Sequence, residues 1–214
     1  MGLPKKPNRN LDFRSAKDEA WYTVGKVSIS KTKNILTVRF AGFDKEDDEK
    51  FSIKDFKTVK ELDDFLNRFR PACVQLQDKD CAALSRGFEV CALLDLGEED
   101  KKFYDGKIES ISRKRHRRKG GEETCSCAFV VGWSEGPKAR STQQMGIESI
   151  CKLEQGSPLF DQALAYFVKM SSKQLDLVSN ENRLPVKKKI QLFYTTHYAL
   201  GNALFLHLAP SAAK

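Results

Sequence analysis

The chain has 214 residues, 37 Lys and Arg against 29 Asp and Glu, a formal net charge of +8, and 40% hydrophobic residues including 14 Phe. That is apolar material for one medium domain or two small ones, and no run approaches the roughly 18 uninterrupted apolar residues of a spanning helix, which excludes a helical membrane protein. The basic start, Met1-Gly2-Leu3-Pro4-Lys5-Lys6-Pro7, has no apolar core behind it and does not read as a secretory signal. The six cysteines are therefore expected in a reducing compartment, as buried thiols or metal ligands. The positive excess leaves nucleic acid, a nuclear address or a solvated surface open.

Residues 1–10 are expected to be disordered. The stretch from Ala20 to Ile29 is rich in aromatic and β-branched residues, with Val24, Lys26 and Ser28 on one face and Val27 and Ile29 on the other, so it reads as a strand. Lys33-Asn34 makes a turn and Ile35-Leu36-Thr37-Val38-Arg39-Phe40 alternates again, giving a hairpin. Gly42 and an acidic loop follow, in which five of seven residues from Asp44 to Lys50 are acids. Phe51-Ser52-Ile53 reads as a short return strand. Thr58 with Glu61 forms a capping box, and Val59, Leu62, Leu66 and Phe69 follow at helical spacing before Pro71, predicting one amphipathic helix over about 58–70.

Beyond it the first pattern recurs. Three strands are expected, near 87–93, 102–111 and 125–133. The aromatic pair Trp21-Tyr22 is repeated by Phe103-Tyr104, each followed by a glycine and an alternation ending in Ile29 or Ile111, which implies two copies of one small twisted β-unit separated by a helix. From Gly156 the character changes. Ser157-Pro158 starts a helix with Leu159, Ala163, Leu164 and Phe167 as its apolar stripe, and Lys187-Lys188-Lys189 precedes an apolar stretch over 190–208. Residues 156–214 hold seven Lys or Arg and three acids, as a docking layer or a separate tail.

Three constellations carry chemistry. Cys91, His116, Cys125 and Cys127 offer the thiolate and imidazole donors that zinc takes in a tetrahedron. Alternation on a strand would put Cys125 and Cys127 on one face, with Cys91 on the neighbouring strand. The spacing is not a CxxC knuckle, so small core thiols remain the other reading. Cys73, Cys81 and Cys151 read as plain buried cysteines. The second constellation is Tyr22, Phe40 and Phe43 beside the acidic loop. Methylated lysine keeps its charge, loses hydrogen bonds and gains apolar surface, so aromatic faces hold it by cation–π attraction; unaided, the pattern favours the plainer reading, the two Phe as core of a small barrel and the acids as a solvated turn. The third is 113–119, where six of seven residues are Lys or Arg around His116. Such a run reads as a nuclear address, a nucleic-acid contact or a solvated loop. No phosphate loop, serine elbow or HExxH occurs, and His197 and His207 lie in an apolar tail, so binding rather than catalysis is expected.

The run Leu11-Asp12-Phe13-Arg14-Ser15-Ala16-Lys17-Asp18-Glu19-Ala20-Trp21-Tyr22 resembles the opening of the SAWADEE domain, a plant chromatin module. Phe40-Ala41-Gly42-Phe43, Arg68-Phe69-Arg70-Pro71 before Val74-Gln75, and Cys125-Ser126-Cys127 followed by Trp133 agree with it. The resemblance implies a mainly β fold with some α: tandem Tudor-like (SH3-like) barrels at about 11–56 and 85–154, joined by a helix at 57–70, with structural zinc in the second unit and an α/β extension over 155–214. It implies a nuclear reader of a histone tail carrying a methylated lysine, with Tyr22, Phe40 and Phe43 as the cage and Cys91, His116, Cys125 and Cys127 as zinc ligands. Asp12, Leu93 and Tyr104 are implied as contacts to the peptide or to a second, unmodified lysine. The acidic residue that usually follows the Trp-Tyr pair in the family is Thr23 here. Relatives with a homeodomain ahead of this module serve heterochromatin and RNA-directed DNA methylation through the plant RNA polymerase IV machinery; no homeodomain is read in this sequence. Nucleic acid is a secondary partner in this reading and membrane is none.

Overall fold

The structure is a computed structural model that describes residues 10–97 and 100–178. The expectations for residues 1–9, the 187–189 lysines, the 190–208 stretch, His197 and His207 lie outside the described residues.

β1 (Leu11–Arg14) leads into β2 (Trp21–Ser30), which pairs with β3 (Ile35–Phe40), and β4 (Glu49–Ser52) adds to the far side of β3. The β2–β3 turn closes at Asn34, which holds a left-handed φ of 54°, a conformation asparagine tolerates better than most residues. α1 (Val59–Leu66) starts where Thr58 accepts a hydrogen bond from the Glu61 amide at 3.1 Å, while the Glu61 carboxylate accepts from the Lys57 amide. Leu62, Phe65 and Leu66 are its buried stripe.

The helix is shorter than the 58–70 predicted. Pro71 disfavours helical geometry at Arg70, and 69–71 instead forms β5 (Phe69–Pro71), antiparallel to β1 with Phe13 opposite Phe69 and Asp12 opposite Arg70. The Phe13 and Phe69 rings lie 4.6 Å apart. Helical spacing continues through Phe69 in the sequence, but the pairing with β1 wins there.

The second unit begins with β6 (Val74–Gln75), then a 3-10 segment over Asp78–Ala83, β7 (Glu89–Asp95) and the long β8 (Lys101–Ser112). β9 (Arg117–Lys119) and β10 (Glu122–Thr124) make a small separate hairpin, followed by β11 (Ala128–Trp133), β12 (Thr142–Met145) and β13 (Ile150–Lys152). The main sheet runs β4-β3-β2-β8-β7-β13-β6, with β1 on β2, β5 on β1, and β11 and β12 branching from β8. The second core draws on Leu76, Cys81 and Leu84, so this unit reaches upstream of the expected start at 85.

Each unit has its own core. Phe13, Leu36, Val38, Phe65 and Phe69 anchor the first, and Val90, Leu94, Ile108, Phe129 and Trp133 the second. The units join edge to edge through Trp21 opposite Phe103 on β2 and β8. Those are corresponding positions of the repeated aromatic pair, so the internal repeat meets itself across the seam. Tyr22 packs against both cores. α2 (Gln162–Val178) closes the first unit, with Leu164, Phe167, Val168 and Leu175 buried in its core and Phe167 against Phe56 and Phe65. Ser157-Pro158 opens a short 3-10 turn over Pro158–Phe160 rather than the expected helix, which begins at Gln162; Leu164 and Phe167 of the expected stripe are buried, Leu159 and Ala163 only partly, and this part of the chain is core rather than tail.

Candidate functional site

Two constellations are assembled by this fold. The first is aromatic. The β2–β3 pairing slips between Val24 and Lys26, and such a bulge re-aims the flanking side chains. Tyr22 lies two residues before Val24, the partner of Phe40, so the two rings share one face. Gly42, at φ 79°, turns the chain back in a conformation that favours glycine, and Phe43 folds over the same spot. Ring centroids are 5.3 Å apart for Tyr22 and Phe40, 5.4 Å for Tyr22 and Phe43 and 6.1 Å for Phe40 and Phe43, with interplanar angles of 53°, 88° and 71°.

Three rings at such angles present faces and edges around a common point rather than a stack. Phe40 is the floor, only 5% exposed, and Phe43 the outer wall at 49% exposed. Phe43 and Val74 are the exposed large apolar side chains among the described residues, and Phe43 stands beside two other rings. The Tyr22 hydroxyl donates to Asp18 Oδ2 at 2.6 Å, which Lys102 also approaches at 3.3 Å. Burial, then the Asp18 hydrogen bond, raises the Tyr22 pKa, so its ring stays a neutral phenol.

The acidic loop is less open than its composition suggests. Asp48 takes two hydrogen bonds from Arg39, at 3.2 and 3.0 Å. Glu49 accepts from the Ser15 hydroxyl at 2.6 Å and the Ala16 amide at 3.3 Å, and Asp47 is near Lys17. Asp44 and Glu46 are exposed with no side-chain partner among the described residues. Asp44 follows Phe43 directly and Glu46 lies two residues further on.

The expected second set does not form an exposed pocket. Asp12 is 7% exposed, and its oxygens accept from the Thr23 hydroxyl at 3.3 Å and the Cys73 amide at 2.9 Å, with Arg70 Nε at 3.9 Å. Thr23 is thus the donor that satisfies a buried carboxylate. Burial raises the Asp12 pKa against the opposing pull of the Cys73 amide and Arg70. Tyr104 is 2% exposed, with its hydroxyl on the Asp18 carbonyl. Leu93, opposite Phe103, is the one of the three with surface to offer. Arg70 has a structural task beside Phe69: its guanidinium lies 3.6 Å from the Trp21 ring centroid and donates to Asp105 at 2.7 Å, and Trp21 Nε1 donates to the same carboxylate at 3.0 Å. This knot ties β5, β2 and β8 together across the seam.

The second constellation corrects the expected metal set. The donor atoms of Cys81, His116, Cys125 and Cys127 all lie within 4.8 Å of one another. Cys91 is elsewhere. It sits mid-strand in β7 between Asp105 on β8 and Cys151 on β13, buried with Trp21 and Cys151. Cys91 thus belongs to a strand hydrogen-bonded on both sides, whereas the four clustered donors come from a 3-10 segment and irregular backbone. Cys125 and Cys127 precede β11 instead of alternating on it. Cys81 belongs to the 3-10 segment, which Arg113 fastens by donating to the carbonyls of Cys81 at 3.0 Å and Leu84 at 2.6 Å. Nothing in the spacing around Cys81 signals this; the one available clue is negative, that Cys91 lies inside the apolar run Val90-Cys91-Ala92-Leu93.

Three thiols and an imidazole nitrogen are a zinc-type donor set. Cys127 Sγ is 3.4 Å from His116 Nε2, and tetrahedral ligands on zinc stand about 3.3–3.8 Å apart. His116 Nδ1 is 2.5 Å from Glu123 Oε1, the carboxylate–histidine contact that fixes the tautomer and leaves Nε2 for a metal. Burial works against the Cys127 thiolate, but the Lys114 backbone, His116, Cys81 and Cys125 pull its pKa down to about 7. Burial pushes Cys81 up to about 12; an ion bound there would reverse that preference.

No curated protein matches the chain. Among solved structures it is similar to a selenium-substituted variant of the SHH1 SAWADEE domain of Arabidopsis thaliana, at 22% identity and a TM-score of 0.52, over 70% of this chain and 100% of that one. It is also similar to the SHH1 SAWADEE domain in complex with an H3K9me3 peptide, at 22% identity and a TM-score of 0.51 with the same coverage. The SAWADEE domain profile matches residues 7–151, well over half of the sequence. The chain therefore belongs to the SAWADEE domain family.

Proposed function

We propose that this protein is a reader of methylated lysine on a histone tail, with Tyr22, Phe40 and Phe43 as the cage. The observation that carries the reading is the trio itself: three rings within 6.1 Å of one another, mutually inclined, with an exposed outer wall. A methylammonium placed among them keeps its charge, donates few or no hydrogen bonds, and meets ring faces at about 0.5–2 kcal/mol each. Asp44 and Glu46 attract the basic remainder of the tail. The family resemblance and the peptide held by the SHH1 domain support this choice of ligand. The chemistry is binding without turnover.

The Cys81, His116, Cys125 and Cys127 cluster is assigned to structural zinc. Bound zinc would draw the protons off these thiols and join them in one cross-linked centre; the residues themselves tie the 3-10 segment, the basic run and the start of β11 into one corner. The reading places the protein in the nucleus. Its extension to heterochromatin, RNA-directed DNA methylation and the RNA polymerase IV machinery rests on resemblance, and co-purification with that polymerase is its direct check.

Titrating the protein with one tail peptide, methylated and unmodified, tests the reading. Preference of tenfold or more for the methylated form is expected, and equal affinities would refute it.

A further inference from the structure

We infer that the basic arm formed by Lys114, Arg115 and Arg117 is a docking surface for the phosphate backbone of nucleic acid, held in position by the Cys/His cluster at its root. The sequence run 113–119 contains six cations, which the structure divides by task. Arg113 points inward to the Cys81 and Leu84 carbonyls, and Arg118 pairs with Glu123 at 3.1 Å. Lys114, Arg115 and Arg117 are exposed and have no acidic partner among the described residues.

Some surface cations of this fold are paired, Arg39 with Asp48, Lys102 with Asp18 and Lys107 with Glu89; Lys54, Lys57 and Lys60 are exposed without such a pair among the described residues but are interspersed with Asp55 and Glu61, whereas no acid interrupts 113–119. Three adjacent uncompensated cations repel one another and call for an external anion. The arm is also pinned. The Lys114 amide donates to Cys127 Sγ at 3.2 Å, the Cys127 thiol returns to the Lys114 carbonyl at 3.6 Å, and His116 belongs to the cluster. Cations held in place lose less conformational entropy on binding than cations on a free tail.

The partner follows from spacing and shape. Residues 114 to 117 span at most about 10 Å, the axial length of about three phosphates along one strand of a duplex. Guanidinium forks match phosphate oxygens in pairs. A lipid surface fits less well, because the exposed large apolar side chains among the described residues are Phe43 and Val74, and neither belongs to the arm. This surface lies in the second unit and the aromatic trio in the first, so the two bindings are separable.

The test uses the full chain with zinc supplied, and reads fluorescence anisotropy of a labelled 20-base-pair DNA duplex and a labelled 20-nucleotide RNA across a salt series. With three phosphates neutralised, log K against log salt should fall with a slope of about −2.7 for duplex and about −2.1 for single strand, a loss of about 40-fold for duplex between 50 and 200 mM salt; which of the two probes binds tighter at 50 mM tells the sources apart. The Lys114→Gln, Arg115→Gln, Arg117→Gln triple variant should lose at least tenfold at 50 mM and flatten the slope, with an unchanged melting curve and unchanged methyl-peptide affinity. Absence of binding at 50 mM salt, a triple variant that binds as the parent does, or equal capture of a polyglutamate peptide would each overturn the inference.

Discussion

Phe43 is the residue through which the aromatic trio is tested most cleanly. It is half exposed, so Phe43→Ala costs the fold little, while removal of one cage wall should weaken methylated-peptide binding by about 1–2 kcal/mol, roughly 5–30-fold. Phe40 is different. It is buried in the first core and packs 6.1 Å from Phe13, so Phe40→Ala should also destabilise by about 3–5 kcal/mol, visible as a lowered denaturant midpoint. At the metal cluster, Cys81→Ser should take zinc stoichiometry from about one per chain toward zero and make the melting temperature indifferent to chelator. Cys91→Ser should leave the metal in place; the reverse outcome would return Cys91 to the ligand set. Asp48 offers a pH test. Arg39 holds its carboxyl below the ordinary value, so its stabilisation is present above the unfolded value of about 3.9 and is lost as pH falls through the lower folded one. Asp48→Asn should therefore make the acid limb of a stability-against-pH curve shallower. The trio is legible in sequence because its members flank one hairpin end and one glycine turn. Cys81 is not, because its approach to His116 is set by Arg113 reaching back across 32 residues, and no local pattern encodes that reach.

At the scale of elements, the long strands β2, β3, β7, β8 and β11 are readily inferred, since alternation and β-branched runs report directly on one buried face, whereas β1, β5, β6, β9, β10, β12 and β13, none longer than four residues, carry too little pattern to be read. The end of α1 is misplaced by the same kind of pattern, because strand pairing with β1 depends on a segment more than fifty residues away. The loop after β11 is an element whose path one glycine decides. Gly136 has φ 83°, and a Cβ there would stand 2.4 Å from the Tyr104 ring. Gly136→Ala should cost about 1–3 kcal/mol through strain and displacement of that ring, lowering the melting temperature by about 3–10 °C. A melting curve unchanged by this substitution would show that the Tyr104 environment is looser than described.

At the scale of the molecule, the family profile ends at residue 151, but the first core does not. Leu164, Phe167, Val168 and Leu175 are buried against it, a gross contribution of about 6–10 kcal/mol, comparable with the whole stability of a small domain. A chain cut at 155 should lose its cooperative melt and bind a hydrophobic dye; retention of the parent melting temperature would mean that α2 is dispensable. The seam between the units matters for recognition, because Tyr22 packs on both cores while its hydroxyl holds Asp18. Whether the trio reads methylation is measured directly by a double-mutant comparison. Trimethylated and unmodified forms of one histone-tail peptide are titrated against the parent protein and Phe43→Ala by calorimetry. The parent should prefer the trimethylated peptide tenfold or more and the variant at least fivefold less than that, with the unmodified peptide bound alike by both. An undiminished preference in Phe43→Ala would contradict a reading of methylation by the trio.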